Sequence, residues 1–514
     1  MTRLNVLKTQ SAIVLAFILC FGIYSCEQSN PLQKTIINGV VTNFEDPNDL
    51  PAVELINLMP FILDFNTYRC FIEQDGAFRF EFEQLYPTGI MIKFEEMFTV
   101  YAQPGDSIFL TIDAAMLTDT TTINSYEAQY IHIDSPNQRF QNEYQNFILA
   151  FSRQFQTHDD FVALEAAQKN MDPSSYTEYI KDRSTKYNAF LEEYIRINTT
   201  RNSFQVWADN WLYLHEISDL IRYAWLHPMY NELDSNTFRL SDKYYEFLND
   251  PRHNDEKLLN SQDYFMFLNE LYMHLNRGFR QSELQSQFDN LYKAGDISEA
   301  YSLLLKNILD NSSGFEQEYF VSKFFSSLIY WKFLDVYDEL YDPSLIGRDD
   351  YNQFLAKEYT ELQKLIAKPV FAKDLNLHDS GISEENLIFQ ALPEKFPKKV
   401  IYVDFWAPWC GPCMAEMPQS KKLQEKMKGK DVVFVFLASK CSEESWKATI
   451  AQKKLSGEHF LLTDTEYALL ADKLNIAGIP RYMIIDKNGM VVNDNATRPS
   501  DESLVEILET LSEK

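Results

Sequence analysis

Glycine and proline are scarce in this chain, 15 and 19 among 514 residues. With 45% apolar and 14% aromatic residues, that composition leaves little room for long disordered stretches. Positive charge is also short. The 47 Lys and Arg face 75 Asp and Glu, for a net charge of -28. A phosphate backbone repels such a surface, so no nucleic acid partner is expected. The deficit is uneven: from Pro393 onward 17 Lys and Arg face 18 Asp and Glu, a net of -1, so -27 lies upstream. Cysteine is rare at six, too few for a disulfide framework in a chain this long. Beyond the N-terminus no apolar run approaches the roughly 20 residues that span a bilayer. The length exceeds what one core accommodates, and two to four domains are expected.

The N-terminus carries what the rest lacks. Arg3 and Lys8 precede an almost unbroken apolar run from Ser11 to Tyr24, too short for a membrane span but fitting a secretory h-region. The run ends in Ile23-Tyr24-Ser25-Cys26, which resembles the bacterial lipobox, with Tyr24 bulky for its position. The resemblance implies a leader over 1–25, cleavage before Cys26, lipidation of the Cys26 thiol and a tether over 26–34. Plain secretion with Cys26 as an ordinary thiol is the alternative. Cys20 leaves with the leader, so Cys70, Cys410, Cys413 and Cys441 remain. One close pair among four thiols points to chemistry rather than to staples.

Periodicity divides the remainder into a multidomain α+β chain. Over 35–115, Phe78, Phe80 and Phe82 alternate with Arg79, Glu81 and Glu83, and Ile108, Leu110 and Ile112 repeat the period of two. Turn signals at Asp75-Gly76 and Pro104-Gly105-Asp106 separate such runs, which predicts a small antiparallel β-sandwich with Cys70 as a small apolar residue in a strand. Over 116–368 the spacing becomes three and four, as in Phe140, Tyr144, Phe147, Ile148, Phe151 and Phe155, and predicts an all-helical region. Its histidines, His158, His215, His227, His253 and His274, have no metal-ligand spacing, and no metal is expected. Over 369–514 a β-α-β alternation follows. It has a hairpin over 375–391, strands over 400–405 and 432–438, and helices over 410–428, 443–454 and 464–474. A second hairpin crosses Lys487-Asn488-Gly489, and Ser500 caps a last helix.

Between the strand at 400 and the helix at 410 stands Trp409-Cys410-Gly411-Pro412-Cys413. Two cysteines three apart on a first helical turn close a small disulfide. There the helix dipole and free amides favour a thiolate on Cys410, with a pKa below the free value of about 8.5. Such a thiolate attacks a disulfide, and Cys413 then attacks the mixed disulfide and releases the product. Pro412 is tolerated because its missing N–H costs nothing in the first turn. A lone CxxC is equally half of a zinc site, for which Cys441 and His459 are the nearby candidates, without paired spacing.

The segment Val403-Asp404-Phe405-Trp406-Ala407-Pro408-Trp409-Cys410-Gly411-Pro412-Cys413 resembles the thioredoxin active site nearly residue for residue, and Gly478-Ile479-Pro480 resembles that family's cis-proline loop. The resemblance implies a cis Pro480 beside the disulfide, an Ile479 backbone open to an extended client, and a buried Asp404 that takes the proton of Cys413. Glu416, three after Cys413, is a mark of the TlpA/ResA-like envelope branch. Trp406 and Trp409 are expected to shape and shield the site. The order of lipobox, β domain, helical region and redox domain is similar to large TlpA-like lipoproteins. It implies a lipid-anchored disulfide reductase facing the periplasm, without a cofactor. Oxidised client proteins such as apocytochrome c are expected, with a membrane electron donor of the DsbD or CcdA type. An isomerase, a peroxidase and a ligand-binding lipoprotein with an accessory redox domain are the alternatives. The peroxidase is disfavoured because Trp406 to Trp409 fill the space its Thr or Ser would need.

Overall fold

A computed structural model describes residues 33–44, 52–57, 66–94, 96–116, 131–234, 237–379 and 388–513. The leader and Cys26 lie outside these residues. The described residues fall into two compact units, one within the bounds Met1–Phe324 and Asp342–Phe354, the other within Phe325–Tyr341 and Leu355–Lys514.

In the first unit the period-two segments become strands β1 (Gln33–Thr42), β2 (Ala52–Asn57), β3 (Asn66–Phe71), β4 (Ala77–Gln84), β5 (Thr88–Phe94), β6 (Glu96–Ala102), β7 (Ser107–Asp113) and β8 (Ile131–Asp134). They order as two four-stranded sheets, β4-β1-β7-β8 and β3-β2-β5-β6. Side chains from both sheets, Ile37, Phe80, Leu110, Leu55 and Ile92 among them, join one apolar cluster. Half-buried Cys70 packs against that cluster from β3. Three expectations are corrected. The sheets are not wholly antiparallel, because β1 runs parallel to β7 with Ile37 opposite Ile108. Alternation reports which face is buried and not strand direction, and no hairpin constrains two strands this far apart in sequence. The sheet also extends to β8, past residue 115, and begins at Gln33, inside the expected tether.

The helical region contains α1 (Gln138–Phe155), α2 (His158–Asn170), α3 (Pro173–Ile197), α4 (Asn202–Tyr230), α5 (Gln262–Arg280), α6 (Glu283–Ala294), α7 (Ile297–Asn311), α8 (Gly314–Trp331), α9 (Leu334–Leu340) and α10 (Asp349–Ala367). The aromatic stripe of α1 packs with Tyr187, Phe204, Trp207 and Trp211 in a cluster of its own. Among the described residues no helix is long and apolar enough to cross a membrane.

In the second unit a six-stranded sheet has the order β14-β13-β10-β11-β12-β9. Its strands are β9 (Leu375–Asp379), β10 (Val400–Trp406), β11 (Val432–Ala438), β12 (Gly457–Leu461), β13 (Arg481–Ile485) and β14 (Val491–Asn493). The helices are α11 (Ile388–Lys395), α12 (Gly411–Lys426), α13 (Glu443–Lys453), α14 (Asp464–Lys473) and α15 (Ser503–Glu513). Strand β10 is buried throughout, and its period of two sorts its side chains. Ile401, Val403 and Phe405 join Leu392 and Leu470 on one face. Val400, Tyr402 and Trp406 join Met414, Leu423, Leu504 and Leu508 on the other. Each fully buried leucine contributes about 1.5–3 kcal/mol. Asp404, between Tyr402 and Trp406, therefore belongs to the face covered by α12.

Four local expectations are corrected here. Among the described residues no hairpin forms over 375–391: β9 pairs parallel with β12, and 388–395 is helical. A short apolar run such as Leu387 to Ala391 does not distinguish helix from strand. Strand β12, between the second core strand and α14, is additional. Thr463, not Asp464, caps α14 through a reciprocal pair with Glu466. The last helix starts at Ser503, capped by Asp501, so Ser500 is free for another task.

Candidate active site

The disulfide between Cys410 and Cys413 is closed, with 5.2 Å between the Cα atoms. Cys410 is the N-cap of α12, and its Sγ accepts the Cys413 amide at 3.2 Å. The local sequence builds this arrangement. Strand β10 ends at Trp406, the Cys410 amide donates to the Ala407 carbonyl at 3.0 Å, and Pro412 occupies the first turn without losing an intrahelical bond. The first sulfur thus sits where free amides and the helix dipole stabilise negative charge. Cys410 is 4% exposed and Cys413 1%, while Gly411 and Pro412 between them face outward.

Two buried carboxyl groups flank the motif in sequence, Asp404 on β10 and Glu416 on α12. Asp404 is 3% exposed and its Oδ1 has no hydrogen-bond partner. Burial first, and the charge of Glu416 second, hold its carboxyl well above the ordinary carboxylate range. Tyr482 stands opposite Asp404 in β13, its ring stacked on Tyr402 at 5.6 Å. Burial, then Asp404, raises the Tyr482 phenol. Glu416 is not a solvated helix residue: it is 8% exposed, one turn beyond Cys413. It accepts the Ser500 amide at 3.0 Å and the Ser500 hydroxyl at 2.9 Å. Sequence reasoning assigned Ser500 to a helix start and so missed this partner. No local signal betrays it, because the two residues are 84 apart.

The loop before β13 carries a cis peptide between Ile479 and Pro480, and Ile479 packs against the cluster that holds both cysteines. Trp406 is fully buried in that cluster. Trp409 lies at its edge, its Nε1 donating to the Lys440 carbonyl at 2.7 Å. Trp331 packs against the same cluster and was not expected from its position in the helical region.

The remaining thiol and histidine are not arranged as ligands with the pair. Burial, then Asp464, pushes the Cys441 thiol up to about 12, far from a reactive thiolate. His459 is fully buried and stacked on Phe436 at 4.5 Å, and burial brings its pKa down to about 4. Among the described residues no group of three or more His, Cys, Asp or Glu is placed to hold a metal.

Comparison with known proteins places these features. The family model described as Redoxin matches residues 386–509. Thiol-disulfide oxidoreductase ResA of Bacillus thuringiensis subsp. konkukian is 26% identical over 117 residues, 23% of this chain and 66% of the relative. The chain thus spans just under two thirds of the ResA sequence it matches. The thioredoxin domain of a thiol-disulfide oxidoreductase from Bacteroides vulgatus is 25% identical, covering 23% of this chain and 83% of that one, with a TM-score of 0.22. Thioredoxin-like protein YneN of Bacillus subtilis is 30% identical over 149 residues, 29% of this chain and 81% of the relative. Since that last match is 30% identical and covers 81% of the relative, this chain belongs to the thioredoxin-like proteins.

Proposed function

We propose that the protein is an envelope thiol–disulfide oxidoreductase that reduces disulfides of exported proteins. The carrying observation is Cys410 Sγ at the start of α12, within 3.2 Å of the Cys413 amide, with Asp404 buried on the strand that leads to it and its Oδ1 without a hydrogen-bond partner. In the reduced protein the Cys410 thiolate attacks a client disulfide and expels one client thiolate. Cys413 then attacks Cys410 Sγ, passing its proton to Asp404, and the second client thiolate leaves. The client gains two electrons and the pair closes as the disulfide.

Thioredoxin-type pairs are reducing, near about -270 mV, and an oxidising periplasm does not recharge them. The reading therefore includes a membrane electron donor of the DsbD or CcdA type. It also includes a lipid anchor at Cys26 that holds the chain close to that donor, with apocytochrome c among the clients. The leader-like N-terminus and the Glu416 spacing support this assignment.

The test is trapping in cells with Cys413→Ser. Mixed disulfides through Cys410 should accumulate and mass spectrometry should identify an exported client and a membrane donor. The absence of any Cys410-linked adduct, or adducts only with cytoplasmic proteins, rejects the proposal.

A further inference from the structure

Trp331 lies 80 positions before Gly411 in the sequence, yet within the same compact unit. Its Cη2 is 3.8 Å from where a Cβ on Gly411 would stand. Its indole packs against the apolar cluster that contains Cys410, Cys413 and, at the edge, Trp409 and Ile479. Gly411 is half of the dipeptide by which the pair meets its surroundings.

The indole is held there. Helix α8 ends at Trp331 because Lys332 turns left-handed, φ 62°, while the Phe333 amide donates back to Leu328 at 2.8 Å. Lys332 Nζ folds back onto the Tyr330 carbonyl at 3.1 Å, and the Tyr330 ring meets Trp331 edge-on at 4.6 Å. Beyond it, Tyr337 stacks on Tyr359 at 4.8 Å, tying the segment to the part of α10 in the same unit. A left-handed lysine is an unfavoured way to end a helix, where glycine is usual. It fixes the direction in which the chain leaves the indole.

We propose that Trp331 is a specificity-determining residue of the exchange: it covers the Gly411 side of the redox pair, and only a partner able to displace or embrace it reaches Cys410 Sγ. The inference rests on the oxidoreductase reading. Its consequence is kinetic. With the uncovered arrangement at about 10% or less, removing the cover raises attack by an indifferent thiol about tenfold or more.

Dithiothreitol is the probe, on the full chain in its disulfide form. One dithiothreitol thiolate attacks Cys410 Sγ and expels the Cys413 thiolate, which takes up a proton. The second dithiothreitol sulfur then attacks its own mixed disulfide, the Cys410 thiolate leaves, and dithiothreitol ends as its cyclic disulfide. The expected result for Trp331→Ala is a rate about tenfold above wild type, with the equilibrium constant against glutathione unchanged. Trp331→Phe, which keeps most of the packing, should show a smaller rise in the same direction and covers the case of an unfolded alanine variant. Rates within about twofold of wild type in both variants overturn the proposal, as does an equilibrium constant that moves with the rate, the mark of a merely distorted pair. A pair that dithiothreitol does not reduce in any of the three chains overturns the oxidoreductase reading along with it.

Discussion

Glu416 and Ser500 form a closed pair: both carboxylate oxygens accept from one serine, the amide at 3.0 Å and the hydroxyl at 2.9 Å. The contact anchors the loop before α15 to the active-site helix and keeps a charge beside Asp404. Ser500→Ala removes the hydroxyl bond and should destabilise the domain by about 1.5–3 kcal/mol, as for a hydrogen bond to a charged group. Urea unfolding measures it, and a change below about 0.5 kcal/mol assigns the hydroxyl no role.

Glu416→Gln should act on the chemistry. The Glu416 charge is the second cause, after burial, of the raised Asp404 carboxyl. Removing it lowers that carboxyl toward the ordinary range, so the acid limb of the rate of client release moves to lower pH. Stopped-flow exchange as a function of pH follows the limb, and an unmoved or upward-shifted limb contradicts the coupling.

Asp404→Asn should separate stability from activity. The folded carboxyl is raised above its unfolded value, so it costs no stability below the unfolded pKa, near 3.9, where both states are protonated. As pH rises from there toward the folded pKa, the unfolded state alone ionises and stability falls. Asn removes that loss, so the variant should be more stable than wild type at pH 7 by on the order of 1–3 kcal/mol and about equal near pH 4. Its client release should slow about 10²-fold, as for loss of a general base. Denaturant titrations at both pH values, together with insulin reduction, test the pairing of gain and loss.

His459 should make the domain acid-sensitive. Its pKa is down to about 4 from burial, against 6.5 ordinarily. The stability it confers is complete above 6.5 and declines as pH falls toward 4, because only the unfolded state takes the proton. The decline is on the order of 3 kcal/mol. His459→Gln should flatten the dependence of unfolding free energy on pH in that window, and an unchanged slope would refute the attribution.

Cys441 should be inert. With its thiol pushed up to about 12, iodoacetamide at pH 8 should label it far more slowly than an unfolded thiol, and Cys441→Ala should leave insulin reduction unchanged. Peptide mapping after timed alkylation distinguishes this from an auxiliary redox role.

Much of the redox domain is legible in the sequence because its signals are local. The apolar run from Val400 to Phe405, broken only by Asp404, gives a buried strand. Pro412 and the cysteine spacing mark a helix start, and Gly478-Ile479-Pro480 marks the loop whose cis bond the structure contains. The same locality explains the misreadings. Ser500 has the chemistry of a cap and is followed by acidic residues, so nearest-neighbour reasoning gives it to α15, whereas packing gives it to Glu416. The run from Leu387 to Ala391 is apolar in either secondary structure, and the chain is helical from Ile388.

By itself the sequence determined which residues form the redox pair and which strand and helix present it. Each of those facts is written within about one turn or one pleat of the residue concerned. Only the tertiary structure decided that β1 runs parallel to β7, that Ser500 serves Glu416 and that Trp331 lies over Gly411. These relationships join residues 71 to 84 positions apart along β1 and β7, between Glu416 and Ser500, and between Trp331 and Gly411. At such separations side-chain periodicity fixes which face is buried and leaves open what it is buried against.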